Sequence, residues 1–349
     1  MFGAYRYLLA SLAIFSHFHP IYFGRLNWTG MYALFGFYVL SGYLMTRVLH
    51  ETYGFTTRGI GHFLWNRALR IYPTYWVAAI ASVLVVTALP GTVAIYTRVM
   101  GVPTTLEGVL QNTFIFGLHA WRSPRIVTPA WSLHVELCFY VLMALGLSRS
   151  LRAVLVWVVA SLIYTAALVD AHVDFALRYS TIGAASLPFS VGALAYFVGR
   201  RVRPPQRWAP FAVAVFLAID LGAIRLVPDV MLHGFYLGLV CNAVAVICLA
   251  QVRVRSLPGI IGRIDRLLGD LTYPMFLLHL PVAYVWTAVL HAQGRPSSEM
   301  LMLLGMPVLN LVAYGVVRLV DRRIEASRAA VRATVGAGAS VPGRAAVVG

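Results

Sequence analysis

The chain has 349 residues, of which 60% are hydrophobic and 11% charged, and its mean hydropathy is +0.78. This composition excludes a soluble globular protein and predicts a multi-spanning protein whose environment is the lipid bilayer. All 28 basic residues are arginines, against 12 acidic residues, and the formal charge is +16. Membrane topology explains this excess better than nucleic-acid binding, so no nucleic-acid partner is predicted.

Ten apolar segments predict about ten transmembrane helices and an all-α fold. They lie near residues 5–23, 30–50, 72–90, 131–147, 151–169, 181–199, 208–226, 230–250, 270–290 and 300–320. Placing the N-terminus in the cytoplasm puts most arginines on the cytoplasmic side, as the positive-inside rule requires. With an even number of spans, both termini are then cytoplasmic. In the second segment, the small pair Ser41-Gly42 predicts the close approach of another helix.

A single membrane domain is predicted over residues 1–325, because no loop is long enough to hold a soluble domain. Residues 326–349 are rich in Ala, Gly, Val and Arg and are predicted to form a disordered cytoplasmic tail. Between the third and fourth spans, residues 106–118 are apolar but too few to cross a bilayer. They predict a re-entrant or interfacial helix.

Arg6 and His17 are the polar residues of interest in the first span. They are eleven residues apart, which on an α-helix is about 16 Å along the axis and close to the same face. An imidazole titrates near neutrality and can remove a proton from a hydroxyl that must become a nucleophile. The alternative for His17 is a structural histidine that is bonded to a backbone carbonyl or packed at the outer membrane interface.

Arg67 and Arg70 stand three residues apart just before the third span and share a helical face. Their helix is predicted to end or kink at Pro73. Guanidinium groups offer bidentate donors and suit a phosphate or pyrophosphate ligand. The alternative is an ordinary juxtamembrane pair that follows the positive-inside rule or binds anionic lipid headgroups.

Glu136 is the only carboxylate of the fourth span, and Ser132 and Tyr140 lie one turn away on either side. A carboxylate at membrane depth needs a cation or a strong donor. It is predicted either to pair with an arginine elsewhere in the bundle or to orient an imidazole, as in a serine-hydrolase triad. His279 in the ninth span has two interpretations of equal weight, a residue lining the site or a packing histidine.

The sequence contains no Gly-rich phosphate loop, HExxH motif or GxSxG elbow. Its three cysteines, Cys138, Cys241 and Cys248, lie in apolar runs without CxxC spacing and are interpreted as packing residues. Neither a metal site nor a permanently bound cofactor is predicted.

Five motifs, taken in order over nearly the whole chain, resemble those of the acyltransferase-3 family of integral membrane O-acyltransferases. The matching residues are Arg6 and His17; Phe37-Tyr38-Val39-Leu40-Ser41-Gly42-Tyr43; Arg67, Arg70, Ile71, Pro73 and Tyr75; Trp131, Ser132, Leu133, Glu136, Phe139 and Tyr140; and Tyr273, Leu277 and His279. The chain departs from the family pattern at Phe35, where many members carry an acid, and at Thr272 and Phe276.

The resemblance implies a multi-pass enzyme of the bacterial cytoplasmic (inner) membrane. It would transfer an acyl group, most often acetyl, from acyl-CoA to a hydroxyl of a sugar in a polysaccharide, glycolipid precursor or glycosylated natural product. Acyl-CoA is then a co-substrate arriving from the cytoplasm, and a sugar-containing acceptor is the second partner.

The resemblance also implies roles for individual residues. Arg67 and Arg70 are predicted to hold the phosphates of acyl-CoA. His17 is predicted to be the general base, with Glu136 orienting it or stabilising the imidazolium and Arg6 contributing positive charge. The residues predicted to bind substrate or line its site are Trp131, Ser132, Tyr140, Tyr273 and His279. A transient acyl-enzyme through His17 or Ser132 is the alternative to direct transfer.

A different function is also compatible with these charges, because a membrane transporter or flippase of a glycan or metabolite could line its path with them. Transporters usually show inverted repeats with broken helices at matched positions, and the sequence shows no such pairing. A lipid-binding scaffold would explain the arginines but not Glu136 or His17.

Overall fold

The computed structural model describes residues 1–18, 29–96, 99–121, 124–226, 229–252, 258–291 and 298–338. The helices in chain order are α1 (Phe2–Phe18), α2 (Thr29–Val48), α3 (Thr57–Ala88), α4 (Pro90–Tyr96), α5 (Leu106–Phe114), α6 (Ala130–Leu142), α7 (Leu151–Asp170), α8 (Phe175–Ser180), α9 (Ile182–Val202), α10 (Trp208–Leu226), α11 (Phe235–Ala250), α12 (Gly259–His291), α13 (Ser298–Val316) and α14 (Arg322–Gly338). Short π-helical turns cover Leu49–Tyr53, Met143–Leu147, Val230–Gly234 and Val317–Asp321. The predicted all-α fold is confirmed.

Eight helices of the described chain are long and apolar enough to cross a bilayer. They cover Thr29–Tyr53, Thr57–Ala88, Ala130–Leu147, Leu151–Asp170, Ile182–Val202, Met231–Ala250, Gly259–Leu290 and Leu304–Thr334. The other two predicted spans fall on the shorter α1 and on α10, whose apolar part is Trp208–Gly222. A polytopic membrane protein is therefore confirmed, whereas the count of ten spans and the cytoplasmic termini stay predictions.

Two helices are longer than the sequence predicted. Helix α3 runs from Thr57 to Ala88 without ending at Pro73, where the sequence placed a helix end or kink. Helix α12 begins at Gly259, about three turns before the predicted start, and contains Pro274 and Pro281. In a membrane helix, neighbouring helices and local adjustments satisfy the backbone groups that proline frees, so proline does not have to end the helix.

Helix α2 lies at the centre of the bundle and packs against α1, α9 and α11. A Cβ atom added at Gly42 would lie 2.2 Å from the carbonyl oxygen of Phe189 in α9. One added at Gly192 would lie 2.0 Å from the carbonyl oxygen of Val39 in α2. The backbones of α2 and α9 therefore touch at these glycines, which confirms the close helix approach predicted at Ser41-Gly42.

Replacing Gly42 with alanine is expected to destabilise the folded protein by about 1–3 kcal/mol, because the added carbon meets a backbone carbonyl that cannot move aside. Thermal unfolding of the detergent-solubilised protein measures the effect. Gly61→Ala is the matched control, since its added carbon has no atom within 4 Å. A Gly42→Ala protein as stable as the Gly61→Ala protein would contradict the backbone contact between α2 and α9.

Helix α5 lies within the segment predicted to be re-entrant or interfacial, and it docks on α3. Three side chains of α3 donate hydrogen bonds to carbonyls at the end of α5, namely Tyr72 to Phe114, Tyr75 to Asn112 and Trp76 to Thr113. Leu106, Leu110 and Phe114 remain exposed. An interfacial helix presents such an apolar surface to lipid, which supports the interfacial alternative.

The C-terminal region differs from the predicted disordered tail. Helix α14 continues to Gly338 and so covers part of the segment predicted to be disordered, whereas residues 339–349 lie outside the described residues. The amide of Asn66 in α3 donates to the backbone oxygen of Arg328 at 3.0 Å. Glu325 forms ion pairs of 2.6 Å with both Arg328 and Arg332. Good helix formers, the ion pairs within α14 and the contact with α3 stabilise the helix.

Candidate active site

A cavity of about 690 Å³ lies among α1, α2, α3, α6, α12 and α14. Its volume is typical of small-molecule binding sites. The polar residues that line it are Arg6, Tyr38, Ser41, Arg67, Arg70, Ser132, Glu136, Tyr140, Asp265, Arg266, Asp270, Thr272, Tyr273, Asp321, Arg322, Glu325 and Arg328. The structure therefore brings together many of the residues predicted from the sequence, namely Arg6, Arg67, Arg70, Ser132, Glu136, Tyr140 and Tyr273.

The three predicted arginines bring positive charge into this cavity from α1 and α3. In the part of the chain that the structure describes, Arg6, Arg67 and Arg70 form no ion pair. The Nε atom of Arg67 is buried there without a hydrogen-bond partner, although its Nη2 lies 3.4 Å from Asn66 Oδ1. Arg70 lies 5.9 Å from the ring centre of Tyr273. Arginines at membrane depth without a direct ion-pair partner are unfavourable, which indicates a site for an anionic ligand.

Glu136 accepts hydrogen bonds from two hydroxyl groups. Ser41 Oγ of α2 donates to Glu136 Oε1 at 2.7 Å, and the Tyr140 hydroxyl donates to the same oxygen from one turn further along α6. The sequence predicted that Glu136 orients His17, and the structure does not place the two side chains in contact. Hydroxyl donors satisfy the carboxylate instead, and its negative charge faces the arginines across the cavity.

His17 and His279 form a hydrogen-bonded pair. His17 Nδ1 lies 2.7 Å from His279 Nε2, and the two rings are within 10° of parallel. His279 is buried, and its Nδ1 lies 2.7 Å from the carbonyl oxygen of Phe276, to which only a protonated nitrogen can donate.

The hydrogen-bond pattern of this pair assigns the proton positions. Because His279 Nδ1 donates to a carbonyl, Nε2 of the neutral ring is an acceptor, and His17 Nδ1 donates to it. The proton of neutral His17 is therefore on Nδ1, and the lone pair is on Nε2. His17 is exposed, so this lone pair is available as a proton acceptor, which is the state that a general base requires.

The predicted site residues thus lie at two heights along the bundle, an arginine level at Arg6 and a histidine level at His17 and His279. Trp131 belongs to neither level. Arg6 lies in the cavity, whereas His17 is eleven residues further along the same helix, about 16 Å away. His279 belongs to the histidine level and is not a lining residue of the cavity. Trp131 packs against Tyr179, with ring centres 5.5 Å apart, and the cavity lining does not include it.

Sequence reasoning missed other residues of the site. Ser41 was interpreted as a packing residue, yet it belongs to a family motif and binds Glu136, so the motif was a usable signal. Arg328 falls in the segment predicted to be disordered. The spacing of Glu325 and Arg328, three residues apart with a second arginine four residues on, is the pattern of a stable helix and was the available signal.

Comparison with known proteins identifies the protein family to which the chain belongs. Residues 4–320 match the family of acyltransferase domains, and the chain belongs to this acyltransferase-3 family. It is an enzyme that transfers acyl groups, and its family favours this function over the transporter alternative. The chain is similar to the exopolysaccharide production protein ExoZ of Rhizobium meliloti (strain 1021), with 28% identity over 296 residues, 80% of this chain and 85% of that protein. No solved structure matches it.

Proposed function

We propose that this membrane acyltransferase moves an acyl group, first of all an acetyl group, from acyl-CoA to a sugar hydroxyl in a polysaccharide or glycan precursor. The observation that carries the proposal is the division of the site into a cavity with three arginines that form no ion pair among the described residues, and a histidine base about 16 Å further along α1. The name of the relative, an exopolysaccharide production protein, supports a polysaccharide acceptor. The bacterial inner membrane is the proposed location.

The donor binds in the cavity through its phosphate groups. The phosphates of acyl-CoA are multiply charged, and guanidinium groups hold phosphate oxygens with parallel, charge-assisted hydrogen bonds. Arg67 and Arg70 on α3 supply these donors, and Arg6 adds positive charge one helix away. With the proposed orientation, the arginine-rich end of the cavity faces the cytoplasm, where acyl-CoA is made.

The histidine pair activates the acceptor. Nε2 of His17 accepts the proton of the sugar hydroxyl while the hydroxyl oxygen attacks the thioester carbonyl carbon. The bond between that carbon and sulfur breaks, an ester forms, and the CoA thiolate leaves and takes up the proton that His17 received. His279 keeps the Nδ1 proton of His17 in place and thereby fixes the tautomer that leaves Nε2 free to act.

Glu136 and Ser132 are two further side chains whose roles in this mechanism have to be assigned. Glu136 offsets part of the positive charge of the arginines and orients the hydroxyls of Ser41 and Tyr140. A transient acyl group on His17 remains the covalent alternative. The Ser132 hydroxyl donates to the carbonyl oxygen of Pro129 at 2.8 Å, a geometry that does not favour Ser132 as the nucleophile.

Deleting the gene from the source organism tests the proposed acceptor. We expect its secreted and surface glycans to lose base-labile acyl esters, which NMR spectroscopy and mass spectrometry of the purified glycans quantify. The wild-type gene should restore these esters, and a gene encoding His17→Ala should not, although the protein reaches the membrane. Unchanged glycan acylation in the deletion strain would contradict the sugar acceptor and leave the enzyme class intact.

A further inference from the structure

Two aromatic side chains, Phe37 of α2 and Phe276 of α12, lie where the cavity approaches the histidine pair. Both line the cavity, and their ring centres are 6.2 Å apart with a tilt of 53°. The ring of Phe276 is also 6.2 Å from the imidazole of His279. Among the described residues that line the cavity, neither His17 nor His279 appears. Phe276 therefore contacts the histidine level from the cavity side.

Contacts between α1 and α2 give the height of Phe37. The two helices are antiparallel, because the ring of Phe2 contacts that of Tyr43 while an added Cβ at Gly30 would lie 2.0 Å from Ser16 Oγ. Phe37 is midway between Gly30 and Tyr43 along α2. It is therefore level with the middle of α1, between the ends that carry Arg6 and His17.

Contacts between α1 and α12 give the height of Phe276. These helices are parallel, because the amide of Ala4 donates to Asp265 at 2.8 Å near their starts and His17 pairs with His279 further along. Phe276 is three residues before His279, about 4.5 Å lower along the axis. Both phenyl rings thus lie between the arginine level and the histidine level.

We propose that Phe37 and Phe276 form a gate between the donor cavity and His17 that admits an acetyl group and excludes longer acyl chains. This inference rests on the proposed function, because it concerns which acyl donor reaches the base. The thioester has to come up to the two rings to be within reach of a hydroxyl held by His17, so its acyl group lies against them. An acetyl group adds one methyl beyond the carbonyl, whereas a longer chain needs space that the rings occupy.

A backbone hydrogen bond joins this gate to the histidine pair. The carbonyl oxygen of Phe276 accepts the hydrogen bond from His279 Nδ1, so the backbone that carries the Phe276 ring is bonded to the imidazole of His279. Rigid apolar pockets discriminate between acyl chains that differ by single methylenes by about 10- to 200-fold. The gate would therefore select the acyl group by its chain length, without any polar contact to it.

Chain-length preference of the membrane-embedded full-length protein tests the gate. Acetyl-CoA and hexanoyl-CoA are offered as donors in membranes of the source organism lacking the native gene, and acyl esters on glycans are measured. We expect the wild type to favour acetyl, and Phe276→Ala or Phe37→Ala to raise the ratio of hexanoyl to acetyl transfer about 10-fold or more. Phe276→Leu and Phe37→Leu, which keep more of the apolar volume, serve if an alanine variant does not fold.

Phe211→Ala is the control, because Phe211 is 72% exposed on α10 and the cavity lining does not include it. It should leave the ratio unchanged. A wild type that transfers both chains equally, or folded gate variants with an unchanged ratio, would overturn the gate while the proposed acyl transfer stands. Absence of transfer from either donor by the wild type would instead overturn the proposed function.

Discussion

Replacing His17 with alanine is expected to lower the rate of acyl transfer to glycan by about 10²- to 10⁴-fold, the usual contribution of a positioned general base. The loss should appear in kcat, because His17 does not line the proposed donor cavity and the binding of acyl-CoA should not depend on it. Transfer from acetyl-CoA labelled in the acetyl group, measured over a range of donor concentrations in membranes, separates the effect on kcat from the effect on KM.

The control for this variant is His119→Ala, which removes an exposed imidazole from the segment between α5 and α6. It should retain the wild-type rate. A His17→Ala protein that binds acetyl-CoA and transfers its acyl group at the rate of the control would contradict the role of His17 as base.

In the proposed mechanism His279 positions His17, and its variants should show a graded effect. His279→Ala removes the acceptor that holds the Nδ1 proton of His17, so transfer should fall less than in His17→Ala. Glutamine offers a side-chain oxygen that accepts the same hydrogen bond, so His279→Gln should recover part of the lost rate. A merely structural role would not predict recovery by an amide.

Replacing Arg67 or Arg70 with alanine is expected to weaken the binding of acetyl-CoA about 10- to 100-fold each. Hydrogen bonds to charged groups contribute about 1.5–3 kcal/mol, and 1.4 kcal/mol is a factor of ten in affinity. The dissociation constant of acetyl-CoA for the purified protein in lipid nanodiscs measures the effect. The rate at saturating donor should change much less than the affinity.

A stability measurement distinguishes this role from a structural one. Because neither arginine forms an ion pair in the described part of the chain, its removal should not lower the unfolding temperature of the ligand-free protein. Arg58→Ala is the control, since Arg58 is an exposed arginine of the same helix outside the cavity. Unchanged donor affinity in Arg67→Ala and Arg70→Ala would contradict the phosphate site.

The apolar helices were predictable because the bilayer leaves the chain few alternatives. A run of about 20 apolar residues must form a helix to satisfy its backbone groups in lipid, and Leu151–Asp170 matches the predicted 151–169 almost residue for residue. Helix α3 was predicted too short because the interpretation gave Pro73 the helix-ending effect that it has in water. Helix α12 was predicted too short because the stretch before residue 270 carries Arg263, Asp265 and Arg266 and is not part of an apolar run.

The sequence alone could not predict which side chains pair across helices. His17 and His279 are 262 residues apart and meet only because α1 and α12 pack in parallel. With several buried donors to choose from, Glu136 was assigned to His17, whereas the packing of α2 against α6 gives it Ser41. Family motifs identified the functional residue types, and packing decided which of them touch.

The most direct test of the account gives the purified protein in lipid nanodiscs acetyl-CoA labelled in the acetyl group, together with glycan extracted from a deletion strain of the source organism. Label incorporated into the glycan as a base-labile ester is measured for the wild type and for His17→Ala. The account predicts esterified label with the wild type, and none above background with a His17→Ala protein that still binds acetyl-CoA. No esterified label with the wild type, or equal label with both proteins, would contradict it.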